Sequence, residues 1–149
     1  MGYDYQELAE RDGLIRNTNT IFIVEDDESN GILLAELLLR ETAYYPLLLQ
    51  DVSHVLHLSR FIKPLLFLLD YYLPGMNGVE LYEQLHAREE LKDVPAIILS
   101  ASLDGHMEEI NSHGLIGLHK PFDLDEFIIT VENVVAQAAP RQAWYQQSC

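Results

Sequence analysis

Acidic side chains follow two apolar runs of the sequence directly, and their types and positions could support chemistry. Four acids in succession, Glu25 to Glu28, come after Ile21–Val24, and Asp70 comes after Leu65–Leu69. Carboxylates supplied by two strand ends repel one another unless a cation neutralises them, and such hard oxygen ligands suit Mg²⁺. Each group taken alone has an ordinary explanation too, because acids complement a helix N-terminus and aspartate often caps a loop.

A hydroxyl group and an ammonium group stand at comparable places further along the chain. Ser100 ends the run that begins at Ala96, and Lys120 stands at the end of the last apolar run, just before Pro121. The oxygens of a phosphoryl group carry negative charge, which a metal ion, an ammonium group and O–H donors stabilise. If these residues share one edge of a sheet, they predict a phosphoryl-transfer site with Asp70 as a plausible acceptor.

The elements that must position these residues follow a regular alternation. Short apolar runs, most of them uninterrupted as in strands covered on both faces, alternate with segments of helical spacing. The predicted strands are Ile21–Val24, Tyr45–Leu49, Leu65–Leu69, Ala96–Leu99 and Leu115–Leu118. The predicted helices are Asn30–Glu41, Val52–Ile62, Gly78–Leu91, Gly105–Ser112 and Leu124–Ala138. This alternation predicts a single doubly wound (βα)5 domain, with a five-stranded parallel sheet, helices on both faces and a site at the carboxyl ends of the strands.

Length and composition fit one such domain. The chain has 149 residues, and its 24 acidic and 9 basic side chains give a formal charge of -15. We expect the domain to occupy residues 20–139, with an N-terminal extension over 1–19 that has no strand signal and a C-terminal tail over 140–149. We expect no separate output domain within this length.

The strong negative charge argues against two classes of partner. Nucleic acids and anionic membrane surfaces bind cationic side chains, so both are excluded as expected partners. No apolar stretch approaches the roughly 20 residues that span a bilayer, and the acidic start does not resemble a signal peptide. The one cysteine, Cys149, cannot form a disulfide within the chain. These features together favour the cytoplasm.

The order and spacing of four motifs resemble a two-component response-regulator receiver domain, from about Ile21 to Val135. The motifs are Val-Glu-Asp-Asp at 24–27, Leu-Asp-Tyr-Tyr-Leu-Pro-Gly-Met-Asn-Gly at 69–78, Leu-Ser-Ala-Ser at 99–102 and His-Lys-Pro-Phe at 119–122. No single motif suffices, but their succession is specific. The resemblance implies the flavodoxin-like fold already predicted from the alternation.

The resemblance also implies a role for each site residue. It implies that Asp70 accepts a phosphoryl group from a sensor histidine kinase or a histidine phosphotransfer protein. It implies a Mg²⁺ site made by Glu25, Asp26, Asp70 and the backbone carbonyl of Tyr72. Asp27 is the alternative member of the acidic pair that Glu25 and Asp26 form. The hydroxyl of Ser100 and the ammonium of Lys120 would contact the phosphoryl oxygens, and the peptide bond after Lys120 would be cis, as only a bond before proline readily is.

A protein of this kind is a signalling module and not a metabolic enzyme. The resemblance implies that it catalyses only its own phosphorylation and dephosphorylation, and that its altered surface then binds an unidentified downstream protein. Association with a second copy is left open.

Two positions depart from the family pattern. An aromatic residue usually stands three positions before the lysine and turns inward on phosphorylation, but Gly117 stands there. We expect Ile116 or Leu118 to substitute for it in part. The second departure is Tyr72, a bulky side chain at a position that influences attack of water on the phosphoryl group.

Three other interpretations remain beside the leading one. Gly117 favours a receiver-fold binding module that signals without phosphorylation, although intact Asp70 and Lys120 argue against it. An aspartate-nucleophile phosphatase ranks last, because such enzymes usually carry a second acid where this chain has Tyr72. His54 and His57 lie one helical turn apart, but they are more simply explained as helix-surface residues than as zinc ligands.

Overall fold

Five parallel strands form the central sheet in the computed structural model, which describes residues 16–138. The strands are β1 Thr20–Val24, β2 Tyr45–Leu49, β3 Leu66–Asp70, β4 Ala96–Ser100 and β5 Ile116–His119. Their order across the sheet is β2, β1, β3, β4, β5. The helices that alternate with them are α1 Glu28–Glu41, α2 Val52–Leu58, α3 Gly78–His86, α4 Met107–Ser112 and α5 Leu124–Ala138. The predicted doubly wound fold is confirmed.

Helices cover both faces of the sheet, and each face has its own core. On one face Phe22 and Phe67 pack with residues of α2, α3 and α4, including Val55. On the other face Ile23 and Leu68 pack with residues of α1 and α5. Alternate residues of one strand point to opposite faces, and all the residues of β1, β3 and β4 are buried. This double burial explains why the central strands are continuously apolar.

Several predicted boundaries are wrong. The second helix ends at Leu58 and not at Ile62, because Ile62–Lys63 pairs in parallel with Arg16–Asn17. That pairing also corrects the expectation of no strand before residue 20. Strands of only two residues are too short to show a periodic pattern in the sequence, so they are not predicted from hydrophobic periodicity.

Two predicted helices are interrupted. α3 ends at His86, and the extended backbone of Arg88 separates it from a short 3-10 turn at Glu89–Leu91. A second 3-10 turn, Leu103–Gly105, precedes α4. The loop that leaves β4 therefore consists of a turn and a short helix.

The ends of the chain stay outside this description. Residues 1–15 and 139–149 are not among the described residues, so the predicted extension and the predicted tail remain predictions there. Among residues 16–138, no helix has both the length and the apolar character needed to cross a membrane.

Candidate functional site

Three carboxylates converge at the carboxyl edge of the sheet. Glu25 follows β1 and Asp70 ends the neighbouring strand β3, since Val24 pairs with Leu69 in the sheet. One oxygen from each of Glu25, Asp26 and Asp70 lies within 4.8 Å of the other two. Glu25 and Asp70 are buried, with 1% and 7% of their surfaces exposed. The structure thus brings together the three acids that the sequence placed at strand ends.

The two acidic residues after Asp26, Asp27 and Glu28, belong to the N-terminus of α1. Asp27 is the N-cap of α1, and its Oδ1 accepts a hydrogen bond from the Asn30 N–H at 3.1 Å. Glu28 lies in the first helical turn, where a negative charge complements the helix dipole. The ordinary explanation of helix capping therefore holds for Asp27 and Glu28. It does not hold for Glu25, which is buried before the helix begins.

Lys120 neutralises part of this acidic cluster. Its Nζ donates hydrogen bonds to Glu25 Oε2 at 2.9 Å and to Asp70 Oδ2 at 3.2 Å. The residue directly follows β5, and the peptide bond from Lys120 to Pro121 is cis, as expected. One ammonium group against three carboxylates leaves the cluster negative.

Burial and pairing set the proton affinities at the site. Burial raises the pKa of Glu25, and the negative charge of Asp70 adds to this, while the hydrogen bond from Lys120 opposes it. Burial disfavours the charged form of Lys120, but the hydrogen bond to Glu25 and the charge of Asp70 outweigh it and raise the pKa of Lys120. Lys120 therefore keeps its positive charge at neutral pH.

The donor set of the cluster fits a hard divalent cation. All three ligand atoms are carboxylate oxygens, which Mg²⁺ prefers, and Asp26 is exposed, which leaves one side open for retained water. Tyr72 was expected to add its backbone carbonyl. Its N–H lies 3.4 Å from Asp70 Oδ1, and the role of its carbonyl stays a prediction.

Ser100 lies at the same edge of the sheet. It is the last residue of β4 and is fully buried, and its Oγ accepts a hydrogen bond from the Ser102 N–H at 3.0 Å. In the sheet Asp70 pairs with Leu99, and Ser100 pairs with His119. The register thus places the hydroxyl group of Ser100 at the strand end beside Asp70. Lys120 directly follows His119, the sheet partner of Ser100.

The chain folds back tightly after Asp70. A short hairpin pairs Tyr72–Leu73 with Met76–Asn77 and turns at Gly75, whose φ of 88° favours glycine. α3 then begins at Gly78, where an added β-carbon would lie 2.5 Å from the Asp70 carbonyl oxygen. Only glycine permits this approach of the helix to the backbone of Asp70.

The structure settles which side chain fills the space beside Gly117. An added β-carbon at Gly117 would lie 2.5 Å from Cδ1 of Leu103, which comes from the 3-10 turn after β4. Ile116 and Leu118 point to the other face of the strand, since side chains alternate, and Leu118 belongs to the core on the α1 and α5 side. The expectation that one of them substitutes for an aromatic residue is therefore wrong.

Sequence reasoning missed two residues near the site, Leu103 and His106. His106 precedes α4 and stacks on Tyr71, with ring centroids 3.7 Å apart. No spacing rule links either residue to its contact, because both contacts join segments that are far apart in the chain. The one signal was the missing aromatic at Gly117, which indicates that another side chain must fill the space.

A groove of about 310 Å³ opens beside Lys120. Leu33 and Leu34 of α1 line one side, and Phe122 and Leu124 line the other. Leu33 and Leu124 keep about half of their surfaces exposed, at 50% and 51%. The candidate site therefore adjoins an apolar surface.

Comparison with known proteins agrees with this geometry. The family model of the response regulator receiver domain matches residues 21–132. The polar-differentiation response regulator DivK of Brucella ovis is 31% identical over 123 residues, which cover 81% of this chain and 99% of DivK. The transcriptional regulatory protein BaeR of Escherichia coli O6:H1 is 32% identical, over 88% of this chain and 54% of BaeR. The chain thus spans about half the length of BaeR and nearly all of DivK.

Solved structures show the same fold. The receiver domain of a Pseudomonas aeruginosa sensor histidine kinase, which holds a magnesium ion in its active-site cleft, is 25% identical with a TM-score of 0.70, over 78% of this chain and 97% of that one. The receiver domain of HemR from Leptospira biflexa is 34% identical with a TM-score of 0.68, over 78% and 94%. With the family model, the relatives and the acidic edge of the sheet in agreement, the chain belongs to the response-regulator receiver domain family.

Proposed function

We propose that this chain is a phospho-accepting receiver domain of a two-component system, in which Asp70 receives a phosphoryl group from a histidine. The observation that carries the proposal is the contact of Lys120 Nζ with both Glu25 and Asp70 inside a cluster of three carboxylates. An ammonium group that bonds the acceptor is well placed to stabilise charge on a group transferred to it.

The chemistry follows from the positions of the side chains. A carboxylate oxygen of Asp70 attacks phosphorus, the bond from phosphorus to the donor histidine nitrogen breaks, and its electron pair stays on the imidazole. Lys120 and Ser100 stabilise the charge on the phosphoryl oxygens as it shifts. A divalent cation held by Glu25, Asp26, Asp70 and the Tyr72 carbonyl would supply further positive charge there. The reaction uses the protein as its own substrate, so the chain is not an enzyme of metabolism.

The surface beside the site supports a protein as the donor. The groove along Leu33 and Leu124 offers exposed apolar area next to Lys120, which suits a helix of a sensor kinase or a phosphotransfer protein. The formal charge of -15 opposes direct binding of nucleic acid. A cytoplasmic location and an unidentified downstream protein complete the proposal.

A receiver-fold binding module that works without phosphorylation is the weaker candidate. Gly117 was its supporting feature, but Leu103 fills the space there. Its main difficulty is the Lys120 contact with Asp70, which a surface that only binds proteins does not require.

Intact-mass measurement after incubation with acetyl phosphate tests the proposal. We expect a gain of one phosphoryl group with Mg²⁺ and little or none without it. Asp70→Asn should abolish the gain, and Asp27→Asn, a matched loss of one carboxylate at the cap of α1, should retain it. If Asp70→Asn gained the group at the wild-type rate, another carboxylate would be the acceptor and the proposal would fail.

A further inference from the structure

Both ring nitrogens of His113 face hydrogen-bond acceptors. Nδ1 lies 2.8 Å from the carbonyl oxygen of Glu109, and Nε2 lies 2.9 Å from Glu83 Oε1. A neutral imidazole carries one N–H and donates to only one of these acceptors, whereas an imidazolium carries two and donates to both. The geometry around His113 therefore favours the protonated ring.

The two contacts of His113 differ in the elements that they join. His113 is the C-cap of α4, and Glu109 lies in the same helix, so their hydrogen bond moves with α4 as a unit. Glu83 lies in α3, so the ion pair connects the end of α4 to a neighbouring helix. Glu83 and Glu109 are the charged groups that act on this ring among residues 16–138. The ion pair with Glu83 is therefore the contact that depends on the position of α4.

The start of α4 rests on the residues that follow Asp70. His106, which precedes the helix, stacks on the buried ring of Tyr71 with the centroids 3.7 Å apart, and its Nε2 lies 2.8 Å from Tyr72 Oη. α4 is thus held at its start by the loop after β3 and at its end by α3.

Hydrogen bonds also connect α4 with Ser100. The Ser102 N–H donates to Ser100 Oγ at 3.0 Å, and the Gly105 N–H donates to the Ser102 carbonyl at 3.1 Å. α4 begins two residues later, and within it only Ile110 is buried, so few apolar contacts anchor the helix. We therefore expect a shift of Ser100 toward a phosphoryl group on Asp70 to move α4 relative to α3.

We propose that the ion pair between His113 and Glu83 is a pH-sensitive contact that holds α4 against α3 and is lost when Asp70 carries a phosphoryl group. The inference rests on the proposed function of Asp70 and concerns the regulation of that site. Protonated His113 makes the contact and opposes occupation of Asp70, and loss of the proton weakens the contact. Such coupling is reciprocal, so occupation of Asp70 lowers the pKa of His113.

The size of the effect follows from the strength of one partly exposed ion pair. Such a pair corresponds to a change of about 1.5-fold to 5-fold in an equilibrium constant. Beryllium fluoride, added with Mg²⁺ as a phosphoryl mimic, should bind the wild type more weakly by this factor below the pKa of His113 than above it, relative to His113→Gln. The ratio of the two affinities cancels the effects of pH on the mimic and on the carboxylates that both proteins share.

NMR titration of the histidine rings measures the reciprocal effect. The pKa of His113 should fall when beryllium fluoride occupies Asp70, because α4 then loses Glu83 but keeps its own Glu109 carbonyl. Glu83→Gln should abolish this fall, although the hydrogen bond to the Glu109 carbonyl still raises the pKa of His113. His86→Gln is the matched control, since His86 ends α3 and stacks on Tyr82, and it should leave both measurements unchanged.

A fall in the pKa of His113 on occupation of Asp70, absent in Glu83→Gln, supports the inference. If beryllium fluoride binds the wild type and His113 titrates at the same pH with and without it, the inference fails while the proposed function stands. If acetyl phosphate adds no phosphoryl group to the wild type, the proposed function fails and the inference fails with it. Glu83 keeps 56% of its side chain exposed, so the Glu83→Gln arm stands even if His113→Gln does not fold.

Discussion

The side chain of Leu103 fills the space in which a side chain at Gly117 would lie. A β-carbon at Gly117 would be 2.5 Å from Leu103 Cδ1 and 3.5 Å from Ile110 Cδ1. Leu103 belongs to the turn that leaves β4 just after Ser100, so this turn and β5 are packed together by an aliphatic side chain from the loop. A movement of Ser100 would therefore reach β5 through Leu103, without a rotating aromatic residue on the strand.

Gly117→Ala tests this contact. The added methyl group should displace Leu103 and destabilise the protein by about 1 kcal/mol, since overpacking is unfavourable and the flexible end of Leu103 can move in part. Urea unfolding measures the change. Leu103→Ala in the same background should recover part of it, and Gly105→Ala, where a β-carbon meets nothing within 4 Å, serves as the control. Equal stability of Gly117→Ala and Gly105→Ala would show that Leu103 does not restrict the space.

Occupation of Asp70 should change the loop after β4. A hydrogen bond from Ser100 to a phosphoryl oxygen, worth about 1.5–3 kcal/mol when charge-assisted, can shift a loop equilibrium tenfold or more. We expect a phosphoryl mimic such as beryllium fluoride to alter amide shifts or hydrogen exchange over residues 100–118, with Leu103 and Gly117 among them. Asp70→Asn should abolish the response. Unchanged amides in the fully occupied wild type would identify a relay element and not a conformational switch.

Gly78→Ala should damage both stability and phosphorylation. Its β-carbon would lie 2.5 Å from the carbonyl oxygen of Asp70, and backbone cannot yield as a side chain can. We expect a loss of about 1–3 kcal/mol in unfolding free energy and slower phosphoryl gain. Gly31→Ala is the matched control, because its β-carbon meets only the end of the Leu48 side chain at 2.5 Å. Equal effects of the two substitutions would contradict a special constraint at the backbone of Asp70.

Removal of Asp26 should weaken binding of Mg²⁺ or Mn²⁺. The cluster loses one of its three carboxylate ligands, and a site with few protein ligands has modest affinity to begin with. Calorimetric titration should show at least a tenfold weaker affinity for Asp26→Ala than for the wild type. Asp27→Ala, which removes a neighbouring cap, should bind the metal nearly as well. Unchanged affinity in Asp26→Ala would place the metal elsewhere.

His113 should give the protein a pH-dependent stability. Its Nδ1 lies 2.8 Å from the Glu109 carbonyl oxygen and its Nε2 lies 2.9 Å from Glu83 Oε1. The hydrogen bond to the Glu109 carbonyl is the largest cause that raises the pKa of His113; burial opposes it, and the charge of Glu83 raises the pKa further. Because the pKa is higher in the folded state, this stabilisation is complete below the unfolded pKa and is lost as the pH rises through the folded pKa.

His113→Gln measures that contribution. The variant should be less stable than the wild type by about 0.2–1 kcal/mol at low pH, the range of exposed ion pairs, and the difference should shrink as the pH rises through the titration of the histidine. Glu83→Gln removes the acidic partner and should reduce the pH dependence, while the hydrogen bond to the Glu109 carbonyl retains part of it. A constant difference across the pH range would mean that the charge of His113 does not contribute.

The sequence by itself determined the fold class and the positions of the site residues along the chain. Continuous apolar runs predicted buried parallel strands, and Asp70 stands directly after one of them. Parallel strands bring their carboxyl ends to one edge, so an acid, a hydroxyl and a lysine at strand ends must approach one another. The inaccurate boundaries, such as the end of α2 at Leu58, fall where local caps and a two-residue pairing override helical spacing.

Only the tertiary structure decided which side chains touch. Lys120 bonds Glu25 across 95 positions of sequence and Asp70 across 50, and Leu103 meets Gly117 while His106 meets Tyr72. Such contacts depend on strand order, on register and on the close packing of the cores between sheet and helices. A pattern of residue types predicts the face on which each side chain lies. It does not predict the neighbour of that side chain, because the neighbour comes from a distant segment. The position of that segment is fixed only when the whole sheet has formed.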